Sequence, residues 1–290
     1  MKRAGVFIIM WVLVTATAAQ QPGQQSQPSG QANAQPGAAP QGKRPPQAKT
    51  QQEFDAYKAA VANQTDAAAM EKAADDFAAK FPNSELRPLL YTTAMRLYQN
   101  ANNPDKMLET AQKLLKVDPD NPEALVNSAE VIVEHTHDTD LDKEQHWDEA
   151  AKNAQHALET VETDLPAGMQ PNQIDLYKGL VRSNAYSILG SVSDSREKYA
   201  DAEGYYRKSI DALPSQPDAV VILRLALALD KQAKYPEALK EANRAVDLLP
   251  DTTTTGKQAR QERDRLVQLT GGGSPPGASA PAAGSAQPPH

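Results

Sequence analysis

Four prolines set the frame of this chain. Pro82, Pro119, Pro214 and Pro250 stand in "FPNS", "DPDNP", "LPSQPD" and "LPDT", each behind a run of apolar residues recurring at steps of three and four. Proline has no amide hydrogen to donate and its ring clashes with the preceding turn, so each marks a place where a helix must stop. The intervals between them are 37, 95 and 36 residues, and 95 accommodates two units plus insertions. A stop at this period predicts stacked helical hairpins, each too small to bury its apolar face alone.

Between residues 51 and 270 no run of alternating β-branched residues interrupts the helical pattern, so the body is expected to be all-α. The two ends differ in kind. "MKR" followed by the thirteen-residue apolar run "AGVFIIMWVLVTA" and then "TAAQ" has the three parts of a secretory signal, with cleavage expected after Ala18 or Ala19. Thirteen apolar residues fall short of the roughly 20 that a helix needs to cross the hydrocarbon core, which disfavours an uncleaved anchor. The expectation is export, to the periplasm or beyond the cell. Residues 20–50, rich in Gln, Pro, Gly and Ala, and the tail 271–290, "GGGSPPGASAPAAGSAQPPH", lack the large apolar side chains that offset ordering entropy and are expected to be disordered.

Composition removes several function classes. The sequence has no cysteine, so neither a disulfide framework nor a lipid-modified N-terminal cysteine is available. The formal charge of −7 becomes more negative once Lys2 and Arg3 leave with the signal, which argues against a nucleic-acid partner. No G-x-S-x-G, G-x-x-x-x-G-K-[ST] or H-E-x-x-H motif occurs, so an enzyme is not expected, and no cofactor is implied.

Aligned on their terminal prolines, the units share more than their length. Tyr186, Leu189, Gly190, Tyr199, Ala202, Tyr206 and Pro214 define the frame in one unit, and Leu225, Ala226, Tyr235, Ala238, Ala242, Ala245 and Pro250 fall into it in the next. Tyr91, Tyr98, Ala111 and Pro119 fit the same frame, although Met95 stands where a small residue is expected. Leu125, Ala129, Trp147, Ala150, Ala154 and Ala157 fit it with about nine additional residues and no closing proline. A first unit, Phe54 to Pro82, is the weakest, with Lys58 at a small position, and its "FAAKFPNSELR" resembles repeats of periplasmic outer-membrane assembly proteins. This pattern resembles the tetratricopeptide repeat, a helix-turn-helix of about 34 residues. The resemblance implies an α-solenoid, a right-handed superhelical array of antiparallel helix pairs. Its units would lie near 51–84, 85–121, 122–165, 172–216 and 217–251, with a capping helix over 253–270 whose Ala259, Leu266 and Leu269 face inward.

The tyrosines of "YADAEGYYRKSIDALP" then read as packing residues rather than an active site, with Tyr205 partly exposed. In the resembling family the first helix of each unit lines a concave surface, which here implies a peptide or protein partner at Asn184, Ser187 and Ser191 on one helix and Val220, Leu223 and Leu227 on the next. Those leucines could instead be covered by the C-terminal helix or a neighbouring chain. A structural, envelope-assembly subunit with edge-to-edge contacts is the alternative function. A remote one is calcium binding in "EHTHDTDLDKEQHWDE", where Asp138, Asp140, Asp142 and Glu149 match helix-loop-helix ligand spacing but Lys143 replaces the glycine of the turn. His135, His137 and His146 could serve a transition metal, and a solvated acidic loop is the preferred reading.

Overall fold

Proline and polar caps place the helix ends where the sequence pattern puts them. The computed structural model describes residues 44–62, 65–166 and 168–271, so the signal segment 1–19, residues 20–43 of the linker and residues 272–290 of the tail lie outside the described residues. Within them the chain forms α1 (Gln51–Val61), α2 (Ala67–Lys80), α3 (Arg87–Asn100), α4 (Pro104–Val117), α5 (Pro122–His135), α6 (Lys143–Thr160), α7 (Pro171–Ser195), α8 (Tyr199–Ala212), α9 (Ala219–Lys231), α10 (Tyr235–Leu248) and α11 (Thr254–Leu269), and no β-strand. Side chains of Thr50, Asp66, Asn103, Asn121, Asp218 and Thr253 accept hydrogen bonds from amides of the first turns of α1, α2, α4, α5, α9 and α11. Helices α4, α5 and α7 begin on proline, whose missing amide costs nothing at that position.

Consecutive helices pack against each other along the whole length, giving an α-solenoid of five helix pairs closed by α11. The turn inside three of the pairs is the same structure repeated. Asn102, Glu197 and Ala233 take φ of 52°, 58° and 57°, and each is followed by an amide that bonds back five residues, Asn103 to Tyr98, Lys198 to Ser193 and Lys234 to Leu229. This is the 6→1 bond of a Schellman cap, which needs one left-handed residue. The three positions are spaced by the same 95 and 36 residues as the prolines, so backbone conformation and sequence report one register.

Small residues let the helices approach and large ones fill the space beside them. Gly190 of α7 lies against Tyr206 of α8 so closely that a Cβ there would stand 2.5 Å from the ring. Tyr206 is 1% exposed. Tyr205 is half-buried and stacks on Tyr186 with ring centroids 6.5 Å apart, while Lys208 lies over both rings. Buried Trp147, Tyr177, Met107, Leu114 and Ile222 fill the stack along its length. Charged staples join neighbouring elements: Arg96 of α3 holds Glu123 of α5 with two donors at 2.7 and 2.5 Å, and Lys113 of α4 bridges Glu71 and Asp75 of α2 at 2.7 and 2.8 Å.

Two sequence expectations are adjusted. The linker does not run unstructured to residue 50: Arg44 and the amide of Gln47 bond Glu85, Lys49 bonds the carbonyl of Asn83, and Ala48 is buried. A segment poor in apolar residues is here ordered by charge and main-chain partners on the α2–α3 turn. Ala259 and Leu266 of the closing helix face inward as expected, but Leu269, in its last turn, is 50% exposed.

Candidate functional site

Three first helices converge on one cleft of ≈ 490 Å³, open to solvent. Helix α5 contributes Glu130, Val133 and Glu134; α7 contributes Asn184, Ser187, Ile188 and Ser191; α9 contributes Val220 and Arg224, with Asp218 at its N-cap. On each helix these side chains recur at steps of three and four, so a single face of each points into the space. The cleft therefore draws on units 3, 4 and 5 and exists only in the stacked array.

Four of the six residues expected from sequence meet here: Asn184, Ser187, Ser191 and Val220. Leu223 does not. It is 2% exposed and belongs to the core shared by α8 to α11, and Leu227 is half-buried against that same core. The 36-residue register pairs Ser187 with Leu223 and Ile188 with Arg224. On α7 both members reach the cleft, whereas on α9 only Arg224 does, because the other side of α9 is drawn into the apolar stack. The polar groups that sequence reasoning passed over, Glu130, Glu134, Asp218 and Arg224, carry all of the cleft's charge. Their signal was present as charges inserted into otherwise apolar first helices, "ALVNSAEVIVEH" and "AVVILRLALAL".

The electrostatics follow from burial. Arg224 donates from Nη1 to Ser187 Oγ at 3.4 Å and to Ser191 Oγ at 3.2 Å. Asp218 accepts the amide of Val220 at 2.8 Å. Burial pushes Glu130 up to about 8, with Glu134 and Asp218 adding repulsion and Arg224 opposing it. Burial likewise raises Glu134, against the pull of Arg224 and His135, and raises Asp218, against the amides of Val220 and Val221 and the charge of Arg224.

The acidic loop is arranged differently from an ion cage. Helix α6 already starts at Lys143, leaving a short connection in which Asp140 accepts the amide of His137 at 2.7 Å and the Lys143 amine bonds the carbonyl of Asp138 at 2.9 Å. Among the described residues no group of three or more His, Cys, Asp or Glu is placed to hold a metal ion, so Asp138, Asp140, Asp142 and Glu149 are not brought together. His135, His137 and His146 lie each beside a separate carboxylate, Asp105, Asp140 and Asp142. No helix of the described residues is long and apolar enough to cross a membrane.

No protein-family model matches the sequence, and no curated protein matches it. Among solved structures, PilF of Pseudomonas aeruginosa is similar at a TM-score of 0.49 with 19% identity, covering 77% of this chain and 87% of that one. Residues 1–338 of Acl4, an assembly chaperone of RpL4, are similar at 0.37 with 14% identity, covering 76% of this chain and 98% of that one. The assignment of the fold rests on the chain's own paired helices and repeated turns, and the class they define is an α-solenoid with a charged cleft on its first-helix face.

Proposed function

We propose that the chain is a non-catalytic protein–protein interaction scaffold that holds a peptide or protein segment along the face built by its first helices, acting in the periplasm or outside the cell. The observation that carries this reading is the cleft itself: three successive repeat units contribute one wall each, with hydroxyl and amide groups at Ser187, Ser191 and Asn184 beside apolar Val133, Ile188 and Val220. Such a mixture suits an extended segment, whose main chain needs hydrogen-bond partners and whose side chains need apolar contact. The serines accept from Arg224 rather than facing a base, which fits binding better than nucleophilic chemistry. Export rests on the N-terminal sequence pattern and is tested by the mass of the mature N-terminus.

A photo-crosslinking amino acid at Ser187, in the cleft, and another at exposed Lys240 of α10 test the site. A partner captured from Ser187 and not from Lys240 supports the reading. Leu248 and Leu269, each 50% exposed on the last two helices, favour edge-to-edge assembly as the second reading. Crosslinks confined to those positions would select it.

A further inference from the structure

The cleft holds more carboxyl groups than its own residues pair. Three carboxylates, Glu130, Glu134 and Asp218, face one guanidinium, and that guanidinium is turned to the serines. Neither Glu130 nor Glu134 has a hydrogen bond or an ion pair within 4.0 Å among the described residues. Carboxylates elsewhere in the same array are treated otherwise: Glu123, on the same helix, is gripped by Arg96, Glu71 by Lys113 and Tyr98, and Glu203 by Lys234 at 2.7 Å. A desolvated acid left without a partner costs free energy, and this chain keeps two of them one helical turn apart on the wall of an open cleft.

We infer that the cleft is a subsite for a cationic side chain, receiving the lysine or arginine of an extended partner segment between Glu130 and Glu134 on one wall and Asp218 on the other. This rests on the peptide-scaffold reading above and names the chemistry of its ligand. Charge complementarity commits the occupant. A metal ion needs its ligands gathered at one point, and no group of three acidic or imidazole side chains among the described residues is so gathered. A guanidinium or ammonium presents several donors and meets carboxylates set on opposite walls of a solvent-open cleft. Asn184 and the serine hydroxyls remain for the peptide main chain. The titration of the site agrees. With burial raising Glu130, Glu134 and Asp218, with Arg224 facing all three and His135 acting on Glu134, and with α7 contributing only uncharged groups, an arriving cation lowers all three and releases protons. Binding therefore tightens as pH rises toward and through about 8.

The full chain and its Glu130→Gln/Glu134→Gln variant are each sorted against a phage-displayed library of random dodecapeptides, with circular dichroism confirming that both are folded. The expected result is one peptide family on the wild type with lysine or arginine at a fixed position. A synthetic member should bind about tenfold more weakly with norleucine at that position, lose a similar factor in the double variant, and tighten with pH more steeply on the wild type than on the double variant, which keeps Asp218. A peptide family without a fixed basic residue, or equal binding of the norleucine peptide, overturns the cationic subsite and leaves the scaffold reading standing. No enriched family on the wild type overturns both. Saturable binding of calcium chloride alone, lost in the double variant, assigns the charge to a metal and overturns the inference too. Should the double variant not fold, Ser187→Arg supplies a tethered guanidinium in the cleft and is expected to abolish capture of the basic peptide; unchanged capture refutes the inference.

Discussion

Replacing Ala233 by glycine should make this protein more stable, against the usual effect of glycine in a helical array. Ala233 has φ 57°, a left-handed conformation in which an L-residue's Cβ crowds the next carbonyl, at a cost of about 1 kcal/mol or somewhat more. Glycine removes that crowding but adds about 0.4–1 kcal/mol of unfolded-state entropy. The side chain is exposed, so no packing is lost, and the net gain is roughly 0.5 kcal/mol. Glu197, exposed with φ 58° at the equivalent turn, should behave alike, while Asn102→Gly should be close to neutral because asparagine already tolerates this region. Ala226→Gly, at a 0% exposed site within α9, is the control and should lose about 1 kcal/mol or more. Urea unfolding followed by circular dichroism measures all four, with Tm moving about 2–4 °C per kcal/mol for a domain of this size. If Ala233→Gly and Glu197→Gly lose as much stability as Ala226→Gly, the shared turn is not what sets the register of the repeats.

Three other perturbations probe packing and charge. Gly190→Ala places a Cβ 2.5 Å from the buried Tyr206 ring and should cost about 1–3 kcal/mol by urea unfolding despite alanine's better helix propensity, with Tyr206→Leu in the same chain restoring part of it. Arg96→Met strands the carboxylate of Glu123, whose side chain is 4% exposed, and should cost about 3–5 kcal/mol, whereas Arg96→Met/Glu123→Leu should return to within about 1 kcal/mol of wild type; a double-mutant cycle on chemical denaturation decides. Glu130 binds its proton more tightly in the folded chain than in the unfolded one, so wild-type stability should decline as pH rises from its ordinary 4.5 through about 8. Because the carboxyl keeps some contact with solvent, the decline attributable to it is about 1–2 kcal/mol, and Glu130→Gln should remove it, measured as Tm against pH.

Much of the fold was legible because its main determinants are local. A proline stop, an Asn or Asp cap and an alanine–tyrosine packing pair each act within one hairpin, and their recurrence multiplies a weak signal into a firm one. The exceptions have non-local causes. Arg44, Gln47 and Lys49 are ordered by a turn 34 to 41 residues away, at Asn83 and Glu85, which no composition of the linker encodes. Spacing alone puts Leu269 on the inside, yet no further unit among the described residues covers the last turn of the closing helix. The cleft was half legible. Asn184, Ser187, Ser191 and Val220 follow from repeat register alone, but which side of α9 turns outward depends on how the stack rotates from α7 to α9, and that placed Arg224 in the cleft and Leu223 in the core.

The charges in the cleft bear on where the proposed subsite lies along the array. Toward the N-terminal units an acid of α5 is closed by an internal pair, Arg96 with Glu123, so that these two charges are already satisfied. Further along the array a guanidinium comes from α9, two units beyond α5, and is held on the serines of α7, out of ion-pair reach of the acids of α5. The same elements, an acid on α5 and an arginine on another first helix, thus produce a structural staple at one end of α5 and an open, unpaired site at the other. Stability alone would favour closing both ends, because each unpaired acid costs the free chain some free energy. An array that closes one and leaves the other open has the difference available to a partner that brings the missing positive charge.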